Sequence, residues 1–212
     1  LRFYTNITHE LRTPLTLILG PLEDMQKDTS LPTKQVQKLS VIHQSALRLL
    51  NLINQILEFR KTETQNKKLC VCKGNLTPLI YEIGLKYKEL NQKPKIDFRI
   101  QTEKEEMLLF FDKEIITIIL DNLISNAIKY TEQGRVTLSL CQTTRNEVSY
   151  TEIKVSDTGY GISAEALPHI FDRYYQESGK HQASGTGIGL ALVRNLVELH
   201  EGDIRVESTP NE

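Results

Sequence analysis

His9 and Glu10 stand side by side in Phe3-Tyr4-Thr5-Asn6-Ile7-Thr8-His9-Glu10-Leu11-Arg12-Thr13-Pro14. A neutral imidazole nitrogen is a competent nucleophile near neutral pH, and the phosphoramidate that it forms passes its phosphoryl group on readily. A neighbouring carboxylate accepts or orients the ring proton. Thr13 follows four residues later, on the same face of a helix as His9. Pro14 lacks an N–H, so the carbonyl of Glu10 loses its helical partner and a bend is expected beside the histidine. A lone exposed histidine on a helix is ordinarily just solvated; its neighbours give this one a use.

Four separated segments of the second half form another set. Asp121-Asn122-Leu-Ile-Ser-Asn126-Ala-Ile-Lys129-Tyr130-Thr131 reads as helix, with Asn122, Asn126, Lys129 and Tyr130 near one face. Amide oxygens suit Mg²⁺, and a lysine meets a phosphate as a point charge. Asp157-Thr-Gly159-Tyr-Gly161 places a carboxylate, able to accept the exocyclic amine of adenine, before glycines that let a flat base approach the backbone. By itself that string is also an ordinary turn with an Asp cap. Ile170-Phe171-Asp-Arg173-Tyr-Tyr-Gln176 precedes a polar stretch, 177–184, with the composition of a mobile lid. Gly185-Thr186-Gly187-Ile-Gly189 runs into a helix, a phosphate cradle of backbone N–H groups. It follows no strand, and no Gly-Lys-Ser/Thr string occurs, which argues against Rossmann and P-loop sites.

The elements that must position these groups fall into two parts. Apolar residues at Ile7, Leu11, Leu15, Ile18, Leu22 and Met25 recur at steps of four and three, the seam of a first helix. Residues 28–33, with Pro32, break it. A second seam runs Val36, Leu39, His43, Ala46, Leu50, Ile53, Leu57, and a parallel stripe of Ile42, Leu49 and Ile56 widens it. Two helices cover each other on one side only, so dimerisation into a four-helix bundle is expected. His43, among apolar positions, is read as packing. After a polar linker, 61–68, strands are expected over 69–72, 96–101, 107–111, 136–142, 152–156 and 203–207, and helices over 76–90, 113–130 and 190–200. Gly202 is placed to cap the last helix, with His200 in its final turn. Strands in runs with helices on one side predict an α+β sandwich.

The order N-box, D-x-G-x-G, F-box, G-x-G-x-G resembles the ATP-binding domain shared by histidine kinases, gyrase B, Hsp90 and MutL, the GHKL or Bergerat type. The string around His9 resembles the phosphoacceptor box of histidine kinases, with Thr8 where that family more often has Ser. Together the resemblances span nearly the whole chain and select a sensor histidine kinase core: residues 1–62 as dimerisation and phosphotransfer hairpin, 69–212 as an ATP-binding domain lacking its final strand. The resemblance implies ATP and Mg²⁺ as cofactors, with His9 the phosphoacceptor and Glu10 its base. Thr13 is implied to position water for dephosphorylating a partner regulator. Carried over by position, the resemblance implies that Asn126 coordinates Mg²⁺ with help from Asn122, that Lys129 contacts phosphate, that Tyr130 lines the pocket and that Asp157 reads adenine. Gly185, Thr186, Gly187 and Gly189 shape the lid hinge and phosphate contact. Gln176 stands where many members carry a basic residue, and Arg173 or Lys180 could substitute. The implied partners are a second copy, through the hairpin, and a response-regulator receiver domain. The continuation Leu-Ile-Leu-Gly-Pro-Leu-Glu-Asp resembles large hybrid sensors of Bacteroides-type bacteria, which implies a receiver domain beyond the present segment. Location is implied as the cytoplasmic portion of an inner-membrane-anchored sensor. Two other readings use the same residues: a scaffold that binds nucleotide as a switch, and an ATPase of the Hsp90 or MutL kind.

Bulk properties agree with these expectations. A net charge of -1, from 26 basic and 27 acidic residues, gives no reason to expect nucleic acid as partner. No apolar run reaches the roughly 18 residues that a membrane span needs, so no membrane contact is expected of this segment. Both ends read as cuts through a longer protein. Cys70, Cys72 and Cys141 lack zinc spacing; Cys70 and Cys72 are expected as small buried residues of a strand, in a reducing compartment.

Overall fold

The computed structural model describes the backbone of residues 2–28, 31–63, 67–91, 93–145, 147–177 and 187–210, and the side chains of these other than 2–12 and 63. Its contacts divide the chain into two units, Leu1–Asn66 and Lys67–Glu212.

The first unit is a hairpin of α1 (Arg2–Lys27) and α2 (Thr33–Glu63). Pro14 and Pro21 lie inside α1 without ending it. Leu15 and Leu19 pack against Ala46 and Ile53, with Leu47 and Leu50 alongside. Leu19 thus takes the seam place expected of Ile18, which is 50% exposed, as is Met25 at 48%. The reason is angular: Leu19 and Leu22 lie within about 40° of Leu15 around the helix, whereas Ile18 and Met25 lie about 60–80° to one side. Ile7 and Leu11 of the expected seam lie outside the described side chains. On α2 Leu39, Ala46 and Ile53 are buried at every seventh position, Phe59 is buried six residues further on, and Val36 lies outside the seam, exposed. The flanking stripe of Ile42, Leu49 and Ile56 stays exposed. His43 is largely covered and faces Glu23 across the hairpin at 3.6 Å, beyond hydrogen-bond reach, in keeping with a packing role.

The second unit layers helices on a sheet. Its elements are β1 (Cys72–Asn75), α2's successor α3 (Leu76–Leu90), β2 (Ile96–Thr102), β3 (Leu108–Phe111), α4 (Lys113–Tyr130), β4 (Gly134–Arg145), β5 (Val148–Asp157), a 3₁₀ turn Leu167–His169 and α5 (Gly189–Leu199). One sheet has the order β2-β4-β5, with β2 parallel and β5 antiparallel to β4; a second pairs β1 with β3. Alternation builds β4: Val136, Leu138 and Leu140 point inward and are essentially inaccessible. Leu76, Leu79, Ile80 and Ile83 of α3 and Leu120, Ile124 and Ala127 of α4 close over them. Burying one such side chain contributes about 1.5–3 kcal/mol.

Caps fix where the helices begin. Asn75 accepts the Thr77 N–H at 3.2 Å, and Asp112 accepts the Ile115 N–H at 3.1 Å. Asp112 also accepts the Cys70 N–H at 2.8 Å, and its own N–H donates to His200 Nε2 at 3.1 Å. One buried residue therefore joins the chain entering the unit, the start of α4 and the end of α5.

Three expectations need correction. Cys70 and Cys72 are exposed, because β1 starts at Cys72, three residues later than expected, and Cys70 is held by its backbone rather than its side chain. Residues 203–207 form no strand: their described bonds run through side chains, with Asp203 beside Arg205 at 2.9 Å and Arg145 at 3.7 Å, and no β-ladder forms. The turn ending α5 is left-handed at Glu201 (φ 57°), not at Gly202. The Gly202 N–H reaches Val197 O at 2.9 Å and the Glu201 N–H reaches Glu198 O at 3.0 Å, a Schellman closure with a non-glycine at its left-handed position.

Candidate nucleotide site and phosphoacceptor helix

The second unit gathers three of the four sequence segments around α4. Asn122 is buried at 8% exposure; its Nδ2 donates to Ile118 O at 2.8 Å. Its Oδ1 faces α5: a Cβ on Gly189 would lie 2.9 Å from it. Glycine at 189 thus lets the start of α5 close onto α4. Asn126, one turn on, is half-buried. Lys129 Nζ donates to the Tyr130 hydroxyl at 3.1 Å and sits 4.6 Å from that ring's centre, so in this structure the ammonium rests on its neighbour.

At the end of α4 the D-x-G-x-G loop arrives. Asp157, the last residue of β5, is exposed, and its Oδ1 accepts the Gly159 N–H at 2.9 Å. A Cβ on Gly159 would come within 2.5 Å of Tyr130 O, and the Tyr160 N–H donates to that same oxygen at 3.4 Å. Gly161 is left-handed at φ 69°, against the backbone of Thr209 and Pro210. The two glycines therefore clear space for protein backbone, where a flat base was expected. The Asp157 turn thus commits Oδ1 to the Gly159 N–H.

The F-box meets the last motif. The Tyr174 N–H donates to Gly187 O at 2.9 Å, and a Cβ on Gly187 would strike the Tyr174 backbone at 2.5 Å. This stitch joins the two flanks of the stretch between them. Arg173 is exposed on the same turn. Gly185, Thr186 and Lys180 lie outside the described residues. α5 starts at Gly189 with Ile188 as a cap whose side chain makes no capping hydrogen bond; the first N–H groups of a helix lack intrahelical acceptors and are the donor set an anion uses.

His9 and Glu10 lie on α1, their side chains outside those described; Thr13 is exposed on the next turn. A groove of about 400 Å³ lies on the other flank of α4, lined by Tyr87, Leu90, Asn91, Lys93, Ser125 and Ile128, and shares only Lys129 with the motif set. Among the described residues no three His, Cys, Asp or Glu side chains form a metal cluster, and no helix there is long and apolar enough to cross a membrane.

One contact escaped the sequence. Lys93 Nζ donates to the carbonyls of Ile128 (2.7 Å), Lys129 (3.3 Å) and Thr131 (2.8 Å). A lysine before a proline in a loop carries no local signal for this, since its partners lie 35 to 38 residues away.

Comparison with known proteins matches these parts. Residues 1–65 match the His Kinase A (phospho-acceptor) domain, and residues 111–212 match the histidine kinase-, DNA gyrase B- and HSP90-like ATPase family. The sensor histidine kinase YcbM of Bacillus subtilis is 32% identical over all of this chain and 68% of its own length. Histidine kinase P4 of Formosa agariphila is 37% identical over 97% of this chain. A crystal structure of full-length ShkA in complex with AMPPNP superposes at a TM-score of 0.73 and 25% identity, covering 93% of this chain and 41% of that one. The chain belongs to the sensor histidine kinases. It spans 15% of the Formosa relative and 14% of the hybrid signal transduction histidine kinase D of Dictyostelium discoideum.

Proposed function

We propose that the protein binds ATP between α4, the Asp157 loop and the start of α5, and transfers its γ-phosphoryl group to His9. The observation that supports this most is the convergence of Asn122 with Gly189 and of Tyr130 with Gly159. It brings a helix of amides, a carboxylate and the N-terminal end of α5 close together. Asp157 takes the adenine amine on its unlocked oxygen. The first N–H groups of α5 and Lys129, once it leaves Tyr130, meet the phosphates. Arg173, exposed on the F-box turn, adds a donor.

The amide chemistry fits Mg²⁺: Asn126 offers an oxygen donor, and Asn122, whose nitrogen is committed to Ile118, orients its oxygen toward the start of α5. When bound, the ion would neutralise charge on the triphosphate. His9 attacks the γ-phosphorus through one ring nitrogen; a P–N bond forms, the P–O bond to the β-phosphate breaks, and ADP leaves. Glu10 accepts the proton from the imidazole. A receiver aspartate then takes the phosphoryl group, and Thr13 serves to position the water that, in a separate phosphatase reaction, hydrolyses the aspartyl phosphate to carboxylate and inorganic phosphate. The protein works as a homodimer through its hairpin, in a larger membrane-anchored sensor.

Asn126→Ala tests the site. Mg²⁺-dependent labelling from γ-labelled ATP should fall at least a hundredfold while the melting temperature stays within a few degrees. Labelling at the unaltered rate would refute this placement of the nucleotide.

A further inference from the structure

The end of α4 presents an unusual closure. A helix leaves its last carbonyls without intrahelical donors. Here the Thr131 N–H returns to Ala127 O at 3.1 Å, and the next carbonyls, of Ile128 and Lys129, together with that of Thr131, converge on Lys93 Nζ. An ammonium has three N–H donors and no acceptor, so three carbonyls use it fully. Its positive charge also sits at the negative end of the helix. The one carbonyl that Lys93 leaves out is Tyr130 O, and that oxygen receives the Tyr160 N–H from the Asp157 loop.

Lys93 is itself held. Asn91 brackets it, accepting the Lys93 N–H on Oδ1 at 3.0 Å and donating from Nδ2 to Lys93 O at 3.2 Å and Ile96 O at 3.3 Å. The Ile96 N–H returns to Lys93 O at 3.0 Å. Pro94 restricts the backbone of Lys93 to the extended region. The loop before β2 is thus a stiff bracket that carries one cation to the end of α4.

We infer that Lys93 is a positioning residue of the nucleotide site, which clamps the last turn of α4 so that Lys129, Tyr130 and the Asp157 loop keep the spacing that nucleotide binding needs. The inference rests on the nucleotide site proposed above. Without the ammonium, three carbonyls compete for water, the last turn frays, and Tyr130 O no longer meets Tyr160 and Gly159 in register. The carboxylate that reads the base then moves relative to the lysine that meets the phosphates.

The test compares the unaltered chain with Lys93→Met, Lys93→Arg and, as a control for lost stability alone, Ile153→Ala in β5. Calorimetry measures binding of a non-hydrolysable ATP analogue with Mg²⁺, and thermal melting is followed for all four. Lys93→Met should weaken binding about tenfold, Lys93→Arg should recover most of it, and Ile153→Ala should melt lower yet bind unchanged. Amide exchange at Tyr160 should accelerate in Lys93→Met alone. Undiminished binding by Lys93→Met, or equal weakening in Ile153→Ala, would overturn the role of Lys93. If the unaltered chain bound no analogue, the nucleotide site itself would fall, a result separate from either.

Discussion

Asp157 Oδ1 ties the turn at Gly159, and the proposed function gives its other oxygen the reading of a base. Asp157→Asn keeps an acceptor for the turn and removes the charge. A hydrogen bond to a charged group contributes roughly 1.5–3 kcal/mol, so affinity for an ATP analogue should fall about tenfold or more with little change in melting temperature. Calorimetry at fixed Mg²⁺ measures this, and equal affinity would remove Asp157 from the site. Asp112 makes a different prediction. Burial pushes its carboxyl pKa up, but the N–H groups of Cys70, Ile115 and Glu114, with Lys67 nearby, outweigh that and hold it below the usual carboxylate value. A depressed folded pKa means that its stabilisation is present above the unfolded value, about 3.9, and is lost as pH falls through the folded one. Melting curves below about pH 4 should therefore drop less steeply for Asp112→Ala than for the unaltered chain, while near pH 7 the variant should be about 1–2 kcal/mol less stable. At this scale the sequence shows Asn122, Asn126 and Asp157 because their neighbours in the chain form motifs. Lys93, Asp112 and His200 act on partners tens of residues away, and no short string encodes such a meeting.

At the scale of elements, the stripe of Ile42, Leu49 and Ile56 on α2 lies beside the seam that closes the hairpin, and all three are 44–50% exposed. In the proposed homodimer a second copy gives that face an apolar partner. Leu49→Glu should convert a dimer to monomers in sedimentation, and a dimer of unaltered strength would place the interface elsewhere. Glu201 holds a left-handed conformation that costs a non-glycine residue about 1 kcal/mol. Glu201→Gly should raise stability by up to about 1 kcal/mol in thermal melting, where a loss would mean that its side chain matters to the turn. Periodicity made the helices legible: α3 and α4 match the expected spans, since their apolar positions and their caps Asn75 and Asp112 are local. It failed for residues 203–207, where β-prone residues lack a described ladder partner, and for Ile18 against Leu19, where two apolar neighbours compete for one seam. Gly202 misled by one position because a glycine beside the left-handed site is as visible as one in it.

As a whole the molecule divides chemistry between two units, a helical hairpin that carries His9 and an α/β unit that gathers the nucleotide motifs. On the proposed function the hairpin supplies one reactive ring and the second unit assembles its site from α4, β5 and α5, which accounts for the wide spacing of the motifs. Their joint order made the family legible where each motif alone was an ordinary turn or a solvated face. The most direct test incubates the protein with γ-labelled ATP and Mg²⁺, beside His9→Ala. The unaltered chain should take up label that is stable to alkali and lost in acid, and His9→Ala, still binding nucleotide, should take up none. Label that persists in His9→Ala, or an unaltered chain that binds ATP and never becomes labelled, would contradict transfer to His9.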